Sequence, residues 1–274
     1  MTYKSAVKIL VMAAALLAWL TGVAQADTLA DIKAKGVLTV GVKADYPPFS
    51  YRAPTGELTG LEVDLAKDIA QRLGVKLQLE SVAASNRIQF LRGGKVDLII
   101  ATMAVTNDRK KAVGVLEPYY YASSIAVLAL KSSGIKSAAD LEGKDVCVMK
   151  GAYYNGNIIK LTGRALVDVK RIRRLEDIGQ AIKSSRCDAF AYEDARLLYK
   201  KNLKNGDWKD FEVVTLDFPP LPWAIAVRSE DKNAAWGQYM TGALVDWHKS
   251  GLLTKLEAKW LGKIPSGSLS RSGL

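Results

Sequence analysis

The chain predicts an α/β protein of two units, each an open, mostly parallel sheet flanked by helices. Three observations lead there. Strand patterns at 37–42, 76–81 and 96–101 alternate with amphipathic stretches, a βαβαβ order. The same alternation restarts after Pro118-Tyr119-Tyr120-Tyr121. A proline cluster, Pro219, Pro220 and Pro222, then precedes an apolar run at 224–227, as if the chain crossed back to its first unit.

The elements follow in order. Residues 37–42 are apolar and end at Lys43. Leu61, Leu65, Ile69 and Leu73 recur at helical spacing, and Gly74 supplies the stop. Residues 76–81 alternate as a strand does, and Ser85 begins a short helix burying Ile88 and Leu91. Residues 96–101 read as a buried parallel strand. In the second unit the strands are 125–130, 145–149, 165–169 and 188–192, with helices at 137–141, 154–163 and 175–185 between them. Long amphipathic helices follow through Trp236, Met240, Leu244 and Trp247 and onward to Trp260, the tryptophans serving as packing residues. Residues 262–274 are polar and rich in Ser and Gly, a frayed tail.

The first residues predict the compartment. Lys4 and Lys8 precede an apolar stretch at 9–20, and Ala24-Gln25-Ala26 is a small-x-small cleavage site. Residues 1–26 therefore read as a secretory signal peptide, with a retained anchor as the alternative, and the product as a periplasmic protein. The 274 residues suffice for one large domain or two ordinary ones. The formal net charge of +11 invites a nucleic-acid reading. Yet the lysines are scattered, with no arginine-rich run or aromatic-basic repeat, so nucleic acid is not expected and attraction to anionic solutes is. Cys147 and Cys187 are the only cysteines. In an oxidising compartment they suggest a disulfide, because each lies beside a predicted strand and adjacent parallel strands could bring them together; two separate buried thiols are the alternative. With the single histidine, His248, expected solvated on a surface helix, no metal site is expected.

Residues 102–109, Thr-Met-Ala-Val-Thr-Asn-Asp-Arg, carry the chemistry. They follow a strand end and open a helix, with Thr106 as N-cap and Arg109 in the first turn. Backbone N–H groups beside a guanidinium fork make a carboxylate site. The plainer alternative is an ordinary strand-to-helix turn with a surface arginine.

Further motifs are Gly41-Val42-Lys43-Ala44-Asp45-Tyr46-Pro47-Pro48-Phe49, Gly60-Leu61-Glu62-Val63-Asp64-Leu65-Ala66, Gly94-Lys95-Val96-Asp97-Leu98-Ile99, Glu117-Pro118-Tyr119-Tyr120 and Asp188-Ala189-Phe190-Ala191. In this order the sequence resembles the periplasmic solute-binding proteins for polar amino acids, the capture subunits of ABC importers. The resemblance runs from about Val37 to Trp260. It implies the two-lobed, type II periplasmic-binding-protein fold, with lobe 1 at 27–122 and 225–274 and lobe 2 at 123–224. Hinge segments fall at 121–125 and 221–224, and ligand is held in the cleft.

The resemblance also implies roles. Arg109 clamps a ligand α-carboxylate, with Thr102 beside it and Ala104 acting through its backbone N–H. Tyr46 lies against the ligand. Glu193 or its neighbour Asp194 binds the α-ammonium. Gly151, Ala152 and Tyr153 close over the ligand from lobe 2. Lys43 and Arg87 match cations that favour an acidic side chain, glutamate or aspartate; a neutral polar amino acid is the alternative. The implied partners are the amino acid and the ABC permease subunits, the implied state a monomer without cofactor, and no catalysis is expected. The rival is an enzyme of the cyclohexadienyl dehydratase type. Its catalytic glutamate aligns with Arg196, which removes the carboxylate the chemistry needs.

Overall fold

Strand β1 (Val37–Val42) is a central strand of a five-stranded sheet, paired in parallel with β5 (Lys76–Ser81) on one side and β6 (Leu98–Ile99) on the other. The structure is a computed structural model, and it describes residues 27–148, 153–168, 176–203 and 208–262. The predicted leader, residues 1–26, and the predicted tail beyond Gly262 lie outside the described residues. Strand β7 (Gly114–Val115) completes the sheet together with β15 (Ala226–Val227), in the order β5-β1-β6-β15-β7. Strand β15 runs antiparallel to both its neighbours and returns late in the chain, as the proline cluster predicts.

The apolar runs are continuous because both sheet faces are covered. Leu98 and Ile100 pack into one core with Leu38, Val40, Leu65, Ile69 and Trp236. Ile99 and Ala101, one residue out of phase, pack into the opposite core with Leu91, Val96 and Val113. Helix α1 (Thr28–Lys35), which the periodicity does not reveal, is capped by Asp27, whose carboxylate accepts the Leu29 and Ala30 amides. Helix α2 (Leu61–Leu73) ends at Gly74 in the left-handed region, as predicted.

Three small strands, β2 (Asp45–Tyr46), β3 (Ser50–Arg52) and β4 (Leu58–Thr59), form a separate antiparallel sheet too short for a pattern to show. Helix α3 (Arg87–Arg92) starts two residues later than predicted, because Asn86 turns its side chain back to accept the Ala83 amide. It buries Arg87 and Leu91, while Ile88 is only half-buried. Helix α4 (Asn107–Ala112) is capped by Thr106 as predicted.

The second sheet has the order β11-β10-β12-β9-β13, from β9 (Ile125–Leu130), β10 (Val146–Val148), β11 (Val167–Asp168), β12 (Ala189–Glu193) and β13 (Phe211–Thr215). The expectation of a second unit in the first one's style needs correction. β10 is parallel to β11 and β12, but β9 is antiparallel to β12 and to β13, a strand the sequence reading did not place. Helices α5 (Asn155–Thr162) and α6 (Glu176–Lys183) fall where predicted, and α7 (Asp194–Asn202) is additional. Residues 137–141 form no α-helix, only a 3-10 turn at Ala139–Leu141. Asp140 there draws the Lys136 and Ser137 amides onto its carboxylate, in competition with helical bonds.

Cys147 and Cys187 form a disulfide with Cα atoms 5.7 Å apart. The register explains it: Cys147 in β10 is paired with Phe190 in the adjacent parallel β12. The two α/β lobes are joined by β8 (Tyr121–Ser123) and β14 (Leu221–Trp223), which pair antiparallel. The amphipathic helices predicted from Trp236 to Trp260 are α8 (Ala235–Lys249) and α9 (Leu252–Leu261), separated at Gly251 in the left-handed region. His248 is not solvated as expected: it is half-buried, and its Nε2–H donates to the Tyr119 carbonyl at 2.8 Å. Trp236, Trp247 and Trp260 pack as predicted, their indole N–H groups donating to the Asp97 carbonyl and to Asp68 and Asp64. Among the described residues no helix is long and apolar enough to cross a membrane.

Candidate functional site

The carboxyl ends of β1 and β6 meet the carboxyl end of β12 around a cavity of about 480 Å³. Lys43, Tyr46, Arg87, Thr102, Ala104 and Arg109 line it from one lobe, and Tyr153, Tyr154, Tyr192 and Glu193 from the other. Every predicted site residue that the structure describes lies in this lining except Asp194. Gly151 and Ala152 lie outside the described residues. Among the described residues no cluster of His, Cys, Asp and Glu is arranged to hold a metal ion.

Arg109 is placed by the start of α4. Its amide donates to the Thr106 hydroxyl at 3.3 Å, and its Nη1 donates to the Ala104 carbonyl at 2.6 Å. One corner of the guanidinium is thereby pinned, and the group is only half-buried. Burial lowers its proton affinity, while Tyr153 and Glu193 act in the opposite sense. Ala104 sits opposite Trp223 of β14. The flanking bonds are made by the Val105 amide to Pro222 and the Ala224 amide to Met103, so the turn that carries Ala104 is stitched to β14.

Thr102 departs from the expected loose strand end. Its amide is held, donating to Glu62 Oε1 at 2.6 Å. Its backbone lies in the left-handed region, with φ 44°. The reason is the accounting of buried backbone groups: an amide at this depth must be paired, and a buried carboxylate from α2 takes it. Tyr120 donates its hydroxyl to the same Oε1. On the other side of the same peptide group, Arg87 Nη1 donates to the Ala101 carbonyl, and at 3.3 Å it also reaches the Thr102 carbonyl of the next peptide.

Sequence reasoning missed Glu62, although a signal exists. It shares the buried stripe of α2 with Leu65, Ala66 and Ile69, and an acid on such a stripe needs a partner. Burial pushes its carboxyl up to about 7 against the pull of Tyr120, the Thr102 amide, Lys43 and Arg87. Arg87 is itself lowered to about 10, first by burial and then by Arg109.

Lys43 is buried, with Nζ 3.6 Å from Asp45 and 4.2 Å from the Tyr46 ring centroid. Burial lowers its proton affinity, and Asp45 and Glu193 oppose that. Opposite, Glu193 closes β12 and accepts the Tyr46 hydroxyl at 3.0 Å, a bond between lobes. Burial raises the Glu193 carboxyl, and Lys43 and Tyr46 are among the groups that restrain it. Tyr46 also stacks on Tyr192 with centroids 5.9 Å apart, and the Arg196 guanidinium lies 5.9 Å from its centroid.

Asp194 serves a different purpose from its neighbour. Its Oδ1 accepts the Ser123 hydroxyl at 2.7 Å and the Ser124 amide at 3.1 Å, tying α7 to the hinge strand β8. Tyr154 donates to the Ala191 carbonyl at 3.2 Å, and the buried Tyr153 hydroxyl has no hydrogen-bond partner among the described residues. The arrangement offers cations on one wall and a carboxylate on the other, across a space the size of a small metabolite.

The profile of the bacterial extracellular solute-binding proteins, family 3, matches residues 38–263. The chain is 32% identical over 228 residues to the arginine-binding extracellular protein ArtP of Bacillus subtilis, covering 82% of this chain and 86% of that one. It is 31% identical over 245 residues to the glutamine-binding protein GlnH of the same organism, covering 88% and 86%. Among solved structures, an ancestral amino acid-binding protein described as a precursor of cyclohexadienyl dehydratase superposes with a TM-score of 0.72 at 29% identity, covering 85% of this chain and 99% of that one.

Proposed function

Because the chain belongs to the bacterial extracellular solute-binding proteins of family 3, we propose that it captures an L-amino acid between its lobes and delivers it to the permease of an ABC importer. It acts as a periplasmic monomer after loss of residues 1–26. The lobes are 27–122 with 225–274, and 123–224, swinging about β8 and β14. The observation that carries this reading is that Arg109 and Glu193 line one cavity from opposite lobes. A zwitterion needs a cation for one end and an anion for the other once closure strips its water. Arg109 takes the α-carboxylate beside Thr102 and Ala104, and Glu193 takes the α-ammonium. Ligand then stabilises the closed form by its differential affinity.

For the side chain we propose an acidic group, glutamate or aspartate, held by Lys43 and Arg87. Both are buried cations in the lining, and a basic side chain would meet their repulsion. The arginine named for ArtP is therefore not the ligand expected here. One observation favours a second reading, a neutral polar side chain such as glutamine: Arg87 already donates to the Ala101 and Thr102 carbonyls and Lys43 is near Asp45, so neither charge is wholly uncompensated. We propose no catalysis, because Arg196 fills the position where the dehydratase-type glutamate would align and lies against Tyr46. A thermal-shift panel of amino acids tests the assignment. L-glutamate or L-aspartate should raise Tm most; stabilisation by arginine alone would refute the acidic reading, and dehydration of prephenate or arogenate would refute the absence of catalysis.

A further inference from the structure

The Ala101–Thr102 peptide lies between two buried charges. Arg87 donates to its carbonyl oxygen, and Glu62 accepts from its amide at 2.6 Å. The peptide dipole is thereby aligned between a guanidinium and a carboxylate, which links the two groups at the edge of the cavity. Neither charge is fully satisfied. Glu62 Oε2 and Arg87 Nε are both buried without a hydrogen-bond partner among the described residues. Arg87 and Lys43 line the cavity, and both act electrostatically on Glu62, which does not line it.

We propose that Glu62 is the specificity-setting counter-charge beneath the cleft, taking up a proton when an acidic ligand side chain settles beside Lys43 and Arg87. This deepens the amino-acid-binding reading and rests on it. An incoming carboxylate competes with Glu62 for the same two cations. Two carboxylates sharing one pair of cations raise each other's proton affinity, and the buried one yields more readily because ionisation there is already disfavoured by desolvation. The proton comes from solvent and resides on Glu62, leaving the ligand side chain ionised. A carboxamide side chain brings no second charge, so Glu62 stays as it was.

The groups facing Glu62 support this assignment. Lys43 stands at the end of β1, Arg87 on α3, Tyr120 ahead of β8 and the Thr102 amide after β6, and all four favour its ionised form. Glu193, across the cleft, faces Lys43 and Arg87 with the opposite sign. With burial holding the carboxyl near 7, a modest further push protonates it at neutral pH.

Calorimetric titration with L-glutamate and with L-glutamine, in phosphate and in Tris at pH 7 and pH 8.5, reads the effect. In the wild-type protein glutamate should bind with uptake of up to about half a proton at pH 7, where the carboxyl is already about half protonated, and up to about one at pH 8.5, and glutamine with none. Glu62→Gln, which keeps an oxygen for Thr102 and Tyr120, should abolish the uptake. At pH 8.5 it should bind glutamate about tenfold more tightly than the wild type, because no protonation cost remains. Glutamate binding without proton uptake, or with the same uptake in Glu62→Gln, overturns the proposal. Binding of neither ligand overturns the acidic and neutral polar side-chain readings on which the proposal rests. Should Glu62→Gln fail to fold, Tyr120→Phe removes one donor from the ionised carboxylate and should move the midpoint of proton uptake to higher pH; an unchanged midpoint refutes it.

Discussion

The Tyr46 hydroxyl donates to Glu193 Oε2 at 3.0 Å, joining residues 147 positions apart in sequence and on opposite sides of the cleft. With the Tyr192 stack and the nearby Arg196 guanidinium, Tyr46 touches the second lobe in three ways beside the cavity. Tyr46→Phe keeps the ring and removes the bond. A hydrogen bond to a charged group contributes about 1.5–3 kcal/mol, so ligand affinity should fall about tenfold or more. Calorimetry with wild-type affinity in the variant would show that closure does not depend on this bond.

Arg109→Gln should weaken amino-acid binding by about 3 kcal/mol, more than a hundredfold, because a ligand carboxylate would be enclosed without its counter-charge. The guanidinium is half-buried and makes a single described bond, to Ala104, so the fold should survive. Circular dichroism melts alongside the titrations separate lost binding from lost structure.

Glu193 and Asp194 should respond differently to loss of charge. Glu193→Gln should cut affinity for an amino acid at least tenfold, or about 1.4 kcal/mol, with small effect on Tm. Asp194→Asn should instead lower stability by about 1–3 kcal/mol, since its carboxylate holds the hinge residues Ser123 and Ser124. The reverse pattern would assign the ammonium to Asp194.

The pH dependence of stability has a definite sign. Burial raises Glu62 from 4.5 to about 7, so the native state binds its proton more tightly than the unfolded chain does. Stability from this group is therefore full below 4.5 and is lost as pH rises to about 7, a change of about 3 kcal/mol. Chemical denaturation without ligand at pH 5 and pH 8 should show this loss, and Glu62→Gln should flatten it.

Reduction of the Cys147–Cys187 bond, or its replacement by paired alanines, should lower stability by about 4 kcal/mol, from a loop of 40 residues. Neither cysteine lines the cavity, so affinity measured well below the new Tm should stay within about threefold, a difference under about 1 kcal/mol. A large loss of affinity would place the disulfide in the closing motion.

By itself the sequence determined what depends on neighbours along the chain. The apolar strands were legible because both faces of each sheet are covered, and Thr106 because an N-cap is a local bond. Arg109 was legible because that cap sets its place in the first turn. The disulfide was suggested by a pair of cysteines in an oxidising compartment, each beside a strand, and the adjacency of β10 and β12 realises it. Three-dimensional structure alone decided what depends on which surfaces meet. The antiparallel β9 and β13 carry apolar patterns no different from parallel strands. Glu193 and Asp194 are adjacent and chemically alike, yet the step from β12 into α7 sends one to the cavity and the other to the hinge. Glu62 looked like one more helix acid until its carboxylate and the Arg87 guanidinium came to lie on either side of the buried Ala101–Thr102 peptide. Desolvation acts through space, so the proton affinity of a buried carboxyl such as Glu62 is set by what surrounds the residue rather than by what precedes it.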